Sequence, residues 1–163
     1  MIRLILLDVD GCMTDGHIIY NGQGEETKHF NVKDGFIIRS WLKMGHSIAI
    51  ITGRESAIVT HRAKELHIPY VFQGVENKLE VTQKLCEELG LESHEVAAIC
   101  DDLNDYNMLQ WVGQGYTPNN GTGYLHTVAT VLEKNGGDGV VREMIEKVID
   151  HNGEREKFLS LWI

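Results

Sequence analysis

The chain has two prolines, three cysteines and no apolar stretch near the ~20 residues that cross a bilayer. With so little proline, and no serine- or glycine-rich tract, no segment reads as a low-complexity linker. The cysteines at 12, 86 and 100 are odd in number and lack metal-site spacing. That pattern favours free thiols in a reducing compartment, so a cytoplasmic location is expected. The eight histidines include no HxxxH pair and no cysteine partner, which argues against a zinc site. The apolar run in Met1–Asp10 is too short for the core of a signal peptide and is broken by two aspartates. Positive charge is also scarce, with 15 Lys and Arg against 24 Asp and Glu, a net −9. Such a field repels nucleic acid and anionic membrane, so any anionic ligand needs locally placed cations or a metal ion.

What is present fits an ordinary globular chain. The 163 residues, 42% hydrophobic and 24% charged, are expected to form one domain over 1–163. Ile2–Val9, Ser47–Ile51 and Val96–Cys100 are continuous apolar runs, the pattern of strands buried on both faces. Tyr70–Phe72 reads as a further short strand. Helical spacing marks Asp34 to about Met44, Ser56 to Leu66 with Ser56 as a cap, Lys78 to Gly90, Met108–Trp111 and Gly139–Asp150. A β-hairpin over about 17–31 turns at Asn21-Gly22-Gln23-Gly24. Thr117–Gly123 reads as loop, Gly136–Gly139 as a flexible stretch and 151–163 as a tail. The alternation of strand and helix predicts an α/β fold, a Rossmann-like doubly wound parallel sheet, with the hairpin inserted after the first strand.

Ligands of such sheets bind beyond the carboxyl ends of the strands. Three predicted strand ends here carry polar residues: Asp8 and Asp10, then Thr52, then Asp101 with Asp102 and Asp105. Any one strand-end aspartate is ordinarily a cap or a turn former. Five converging on one edge would repel one another unless a cation joined them. All-oxygen ligation suits Mg²⁺. With Lys78 and the Thr52 hydroxyl beside it, the group describes a phosphoryl site.

Asp8-Val9-Asp10-Gly11-Cys12-Met13-Thr14-Asp15 resembles the first motif of the haloacid dehalogenase (HAD) superfamily, DxDGxxTD. Thr52, Lys78 and Asp101-Asp102-Leu103-Asn104-Asp105 resemble the second, third and fourth. The resemblance implies Asp8 as nucleophile forming an aspartyl-phosphate, and Asp10 as acid and then base. It implies Mg²⁺ on Asp8, the Asp10 main-chain carbonyl and Asp101. Thr52 and Lys78 would hold the phosphoryl oxygens, with Asp102 and Asp105 in support. Cys100 stands where the family usually has glycine, and its side chain either crowds the site or points into the core. Cys12 reads as a small neighbour of the nucleophile. A phosphoacceptor receiver is the rival from another class, but its acceptor aspartate lies on a middle strand, where this chain has Thr52-Gly53-Arg54. A non-catalytic HAD-like binding subunit is the remaining one.

The chain has no room for the large cap domain of most HAD phosphatases. Together with the hairpin, Val32-Lys33-Asp34-Gly35 and Gly136–Glu143, this resembles the 3-deoxy-D-manno-octulosonate 8-phosphate (KDO 8-phosphate) phosphatases of lipopolysaccharide synthesis. That resemblance implies a homotetramer whose hairpins and tails cap adjacent active sites. Related enzymes act on nine-carbon sugar acid 9-phosphates. Arg54 and Arg62 are the candidates for the substrate carboxylate, and Arg54 and Glu65 fit the eight-carbon side. Lys33 and Asp34 are expected to border the site or to be surface and cap residues. Phe158, Leu159, Leu161 and Trp162 in the tail either dock on a partner subunit or pack within the chain.

Overall fold

The apolar run behind Arg3 becomes the centre of the sheet. In the computed structural model, which describes residues 1–163, β1 (Leu4–Leu7) is wholly buried and lies between β4 (Ser47–Ile51) and β6 (Val96–Ile99). β5 (Tyr70–Phe72), β7 (Gln114–Thr117) and β8 (Thr130–Val131) extend the sheet to the order β5-β4-β1-β6-β7-β8. Every pairing in it is parallel. β2 (Ile19–Tyr20) and β3 (Glu26–Thr27) form a separate antiparallel hairpin. Its turn is closed by Asn21, whose Oδ1 accepts from the Gln23 and Glu25 amides.

Helices cover both faces. Ile5 and Leu7 point to one side, where Ile37, Trp41, Val59, Met144 and Val148 meet them. These come from α1 (Val32–Lys43), α2 (Ala57–Leu66) and α5 (Val140–His151). Leu4 and Leu6 point to the other, against Leu85 and Met108 of α3 (Lys78–Leu89) and α4 (Tyr106–Trp111). The period of two sorts successive side chains to opposite faces, and because both faces are covered the strands show no polar alternation. Strand order reverses around β1, so the crevice beyond the carboxyl ends of β1, β4 and β6 is where a ligand belongs.

Several elements differ from expectation. α1 starts at Val32, two residues early, because Asn31 caps it by accepting from the Lys33 amide at 2.9 Å. Its first residue, Val32, is exposed, so the apolar period shows only from Phe36 on. Ser56 occupies the N-cap position of α2 without a capping side-chain bond. β7 and β8 carry no sequence signal: β7 contains Gly115, whose Cβ would lie 2.6 Å from the Val128 carbonyl oxygen, and β8 is a two-residue exposed edge. The tail forms α6 (Arg155–Leu159), and Phe158 and Leu161 pack on the core of their own chain. Glu154 anchors this turn through His46 Nε2 at 2.7 Å. Trp162 rests on Phe36, ring centroids 4.6 Å apart, and stays partly exposed. No helix is long and apolar enough to cross a membrane.

Candidate active site

β1 delivers Asp8 in extended conformation to the crevice, and the chain then reverses through a tight turn over Val9–Met13. Gly11 makes that turn possible at φ 88°, a left-handed conformation that a side chain resists. A Cβ there would also overlap Asp101 Oδ2, so the same glycine lets the end of β6 close on the end of β1. Thr14 braces the turn, its hydroxyl accepting from the Gly16 amide at 3.2 Å. The Gly136–Gly139 stretch, expected to be flexible, is instead packed on this turn. A Cβ at Gly136 would overlap the Gly11 carbonyl oxygen, and the Gly137 amide donates to Cys12 O at 3.0 Å. The glycines there serve close approach of two backbones.

Lys78 enters from the first residue of α3, which Asn77 caps. Its side chain is 1% exposed, with Nζ 2.9 Å from Asp8 Oδ1 and 2.6 Å from Asp105 Oδ1. Burial alone would lower the lysine's pKa; Asp8, Cys100 and Asp105 outweigh it, and the net shift is upward, so Lys78 is a firmly held ammonium. Burial raises Asp8 despite Lys78. Burial, then repulsion from Asp8, lifts Asp101 to about 7 and Asp105 to about 6. Asp8 and Asp105 thus share one ammonium, and Asp101 beside them is in no ion pair. Ligand atoms of Asp8, Asp101 and Cys12 lie within 4.8 Å of one another. The two carboxylates are hard donors of the kind Mg²⁺ takes, and their mutual repulsion is what a divalent cation would relieve, so the residues present fit that ion.

Thr52 is buried at the end of β4, its amide bonded to Phe72 O and its carbonyl to the Val75 amide. Together with Asp8, Asp10, Arg54, Lys78, Asp101 and Asp102 it lines a cleft of about 260 Å³ with ten lining residues, none hydrophobic. Arg54 stands at the rim, donating to Tyr20 Oη at 3.3 Å and to Glu26 Oε1 at 3.1 Å. Asp102 is exposed and accepts from the Leu103 amide, a capping bond at the cleft edge. Asp105 lines no part of the cleft and is wholly buried behind Lys78.

Other expectations fall elsewhere. Arg62 is not in the cleft of its own chain: Nη1 donates to Glu65 at 2.8 Å and the guanidinium lies 5.5 Å from the centre of the Phe30 ring. Asp34, in the first turn of α1, is buried, its Oδ1 accepting from the Arg142 amide at 2.8 Å, so it caps α5 rather than bordering the site. Burial raises it to about 6. Lys33 is exposed on α1. Cys100 is wholly buried in the layer beneath α3 and α4, so its side chain belongs to the core. The Cys12 thiol is raised well above its ordinary range by burial and then by Asp8, which leaves it a poor nucleophile.

Three residues at or beside the cleft, Gly16, Glu26 and Lys28, carried no readable signal, and Asn104 stood in the fourth motif without a role. Gly16 and Asn104 line the cleft. Lys28 and Glu26, one period apart on the hairpin, turn inward: Lys28 Nζ lies 2.5 Å from Asp10 Oδ1 and 3.1 Å from Glu26 Oε1. Alternation carried one residue past β3 puts them on one face, but no local pattern says that this face meets Asp10.

A family model for haloacid dehalogenase-like hydrolases matches residues 71–144. The 3-deoxy-D-manno-octulosonate 8-phosphate phosphatase KdsC of Escherichia coli K12 is 37% identical over 157 residues, covering 96% of this chain and 84% of the relative. The chain belongs to the KDO 8-phosphate phosphatase family. Its fold agrees closely with solved members. A Moraxella catarrhalis KDO 8-phosphate phosphatase, crystallised with magnesium, phosphate and KDO, matches with TM-score 0.95 at 39% identity, over 99% of this chain and 94% of that one. The cobalt-bound enzyme of Haemophilus influenzae matches with TM-score 0.88 at 30% identity, over 93% and 90%. The chain is thus a HAD-like hydrolase built as the family's phosphomonoesterases are.

Proposed function

We propose that this protein hydrolyses KDO 8-phosphate to KDO and phosphate with Mg²⁺. The observation that carries the reading is the Asp8–Lys78–Asp105 chain with Asp101 alongside, at the open end of a sheet shared with an enzyme solved with magnesium, phosphate and KDO. Lys78 holds one oxygen of Asp8 and so fixes the plane of the nucleophile. The carboxylate attacks phosphorus in line; an Asp8 oxygen–phosphorus bond forms as the bond to the sugar oxygen breaks. Asp10 gives its proton to the leaving alkoxide, then as carboxylate takes a proton from water. That water attacks phosphorus, breaks the aspartyl-phosphate and frees Asp8. Thr52 and Lys78 bind phosphoryl oxygens. Mg²⁺ on Asp8, the Asp10 carbonyl and Asp101 would offset the charge that builds on the phosphoryl group.

Arg54, at the rim with its guanidinium beside Asp10 and Glu26, is the group best placed for the substrate's carboxylate. Arg62 reaches a substrate only where an assembly brings it to another chain's cleft. A homotetramer in which neighbours cover the cleft suits a chain that has a hairpin at its site but no cap, with Ile18 and Tyr20 exposed on that hairpin. Three buried free thiols agree with a cytoplasmic enzyme made as one domain. Phosphate release is to be compared among KDO 8-phosphate, a nine-carbon 9-phosphate and a simple sugar phosphate, with Mg²⁺ and with EDTA. Metal-dependent preference for the eight-carbon acid is the expected result. Preference for the nine-carbon acid would overturn the substrate, and no release from any of them would leave a binding subunit.

A further inference from the structure

The geometry points to Lys28 as the positioning residue of Asp10, supplied by the hairpin. The inference rests on the reading of Asp10 as acid and base.

A lysine side chain 1% exposed is costly unless its ammonium is paired. Lys28 has two ion-pair partners, Asp10 Oδ1 at 2.5 Å and Glu26 Oε1 at 3.1 Å. Glu26 in turn binds Arg54, and Arg54 binds Tyr20, so the inner face of the hairpin forms one charged row ending on Asp10. Asp10 depends on this row. Its carboxylate is 21% exposed, and apart from Lys28 the one cation near it is Arg54, at 3.9 Å from Oδ2. Its backbone, at φ −73° and ψ 118°, lies in a turn and not in a helix or strand that would restrict the side chain. Lys28 thus fixes the rotamer of a group whose catalytic value depends on reach.

The contact also selects an oxygen. Oδ1 already accepts from an N–H donor, so the proton passed to the leaving alkoxide is carried on Oδ2, and the same oxygen takes the proton from water in the second step. Lys28 itself transfers no proton. A hairpin whose only task was to cover the site would not need a buried ammonium on the catalytic carboxylate.

The test compares Lys28→Met, Lys28→Arg and Asp10→Asn in the full chain with Mg²⁺, on KDO 8-phosphate and on p-nitrophenyl phosphate. The aryl leaving group departs without a proton; the sugar alkoxide does not. For Lys28→Met, kcat on KDO 8-phosphate should fall about 10- to 100-fold with KM within about threefold, a part of what proton transfer contributes. On the aryl ester it should release a burst of one nitrophenolate per site and then turn over slowly, because the first step survives and the second does not. Lys28→Arg should recover most of kcat. A kcat within about threefold of the parent enzyme, or a burst amplitude that falls with kcat as folded sites are lost, overturns the proposal. If Lys28→Met does not fold, Lys28→Gln is put to the same measurements. Asp10→Asn separates the two failures: if it is inactive while Lys28→Met is not, Lys28 alone is misassigned, and if it turns over normally, the reading of Asp10 falls and this inference with it.

Discussion

Replacing Lys78 by methionine removes the one ammonium that joins Asp8 and Asp105, at 2.9 and 2.6 Å, and leaves two buried carboxylates facing each other. Breaking a buried pair from one side costs about 3–5 kcal/mol. An independent limit comes from protonation. At pH 7 a stranded carboxyl can escape its charge by binding a proton, and because Asp105 already stands at about 6 with Lys78 present, that costs it about 1.4 kcal/mol at about 1.4 kcal/mol per unit. Protonation gives the lower figure and the broken pair the upper, so a loss of about 1.4–5 kcal/mol at pH 7 is expected. For a carboxyl whose folded pKa is raised, the unfolded chain binds fewer protons than the native one between the two values, and stability falls as pH rises through that window. The loss should therefore shrink at pH 5.5, where Asp105 largely binds a proton in the parent as well. Urea denaturation in EDTA at both pH values measures it, and Tm at pH 7 should drop about 3–20 °C. EDTA matters because Mg²⁺ on Asp8 would mask part of the effect. A loss below about 1 kcal/mol at pH 7, or one equal at both pH values, would refute the picture of carboxylates held ionised by this lysine.

Gly11→Ala places a methyl on Asp101 Oδ2 in a left-handed backbone, so Mg²⁺ affinity measured by calorimetry should fall at least about tenfold, beside a strain of about 1–2 kcal/mol in denaturation. Asp8→Asn should abolish phosphate release while circular dichroism stays that of the parent, since the amide keeps the shape and loses the nucleophile; appreciable turnover would sink the aspartyl-phosphate. Asp34, raised by burial to about 6 from 3.8, opposes folding once ionised, so Asp34→Asn should gain about 1–3 kcal/mol at pH 7 and nothing below pH 4. Equal gains at both pH values would assign the change to packing instead. Arg54→Ala should raise KM for KDO 8-phosphate about tenfold or more and leave KM for a sugar phosphate without a carboxylate nearly unchanged.

The three central strands were legible because parallel strands buried on both faces are unbroken apolar runs, and the aspartates stood out because they end such runs at β1 and β6. Lys78 and Thr52 were legible for the same reason, each sitting at the boundary of a strongly patterned element. β7 and β8 were not, because Gln114, Gly115 and a two-residue edge are held by neighbours and not by their own propensity. Lys28 was invisible: its partner is eighteen residues away, across a hairpin whose tilt no local pattern encodes. Arg62 lies on α2 in step with Ile58 and Leu66, but that spacing does not say which cavity the row faces, and in its own chain Arg62 faces Phe30 and Glu65. Asp34 sits beside a turn in sequence and against α5 in space, a contact 108 residues long that only the fold reveals.

The most direct test of the account is to trap the covalent intermediate. Asp10→Asn, mixed with p-nitrophenyl phosphate and Mg²⁺ and quenched in acid, should gain the mass of one phosphoryl group on the peptide containing Asp8, and KDO 8-phosphate should compete for that labelling far better than a simple sugar phosphate. Phosphate release without any modified Asp8, or labelling on another residue, would contradict the account.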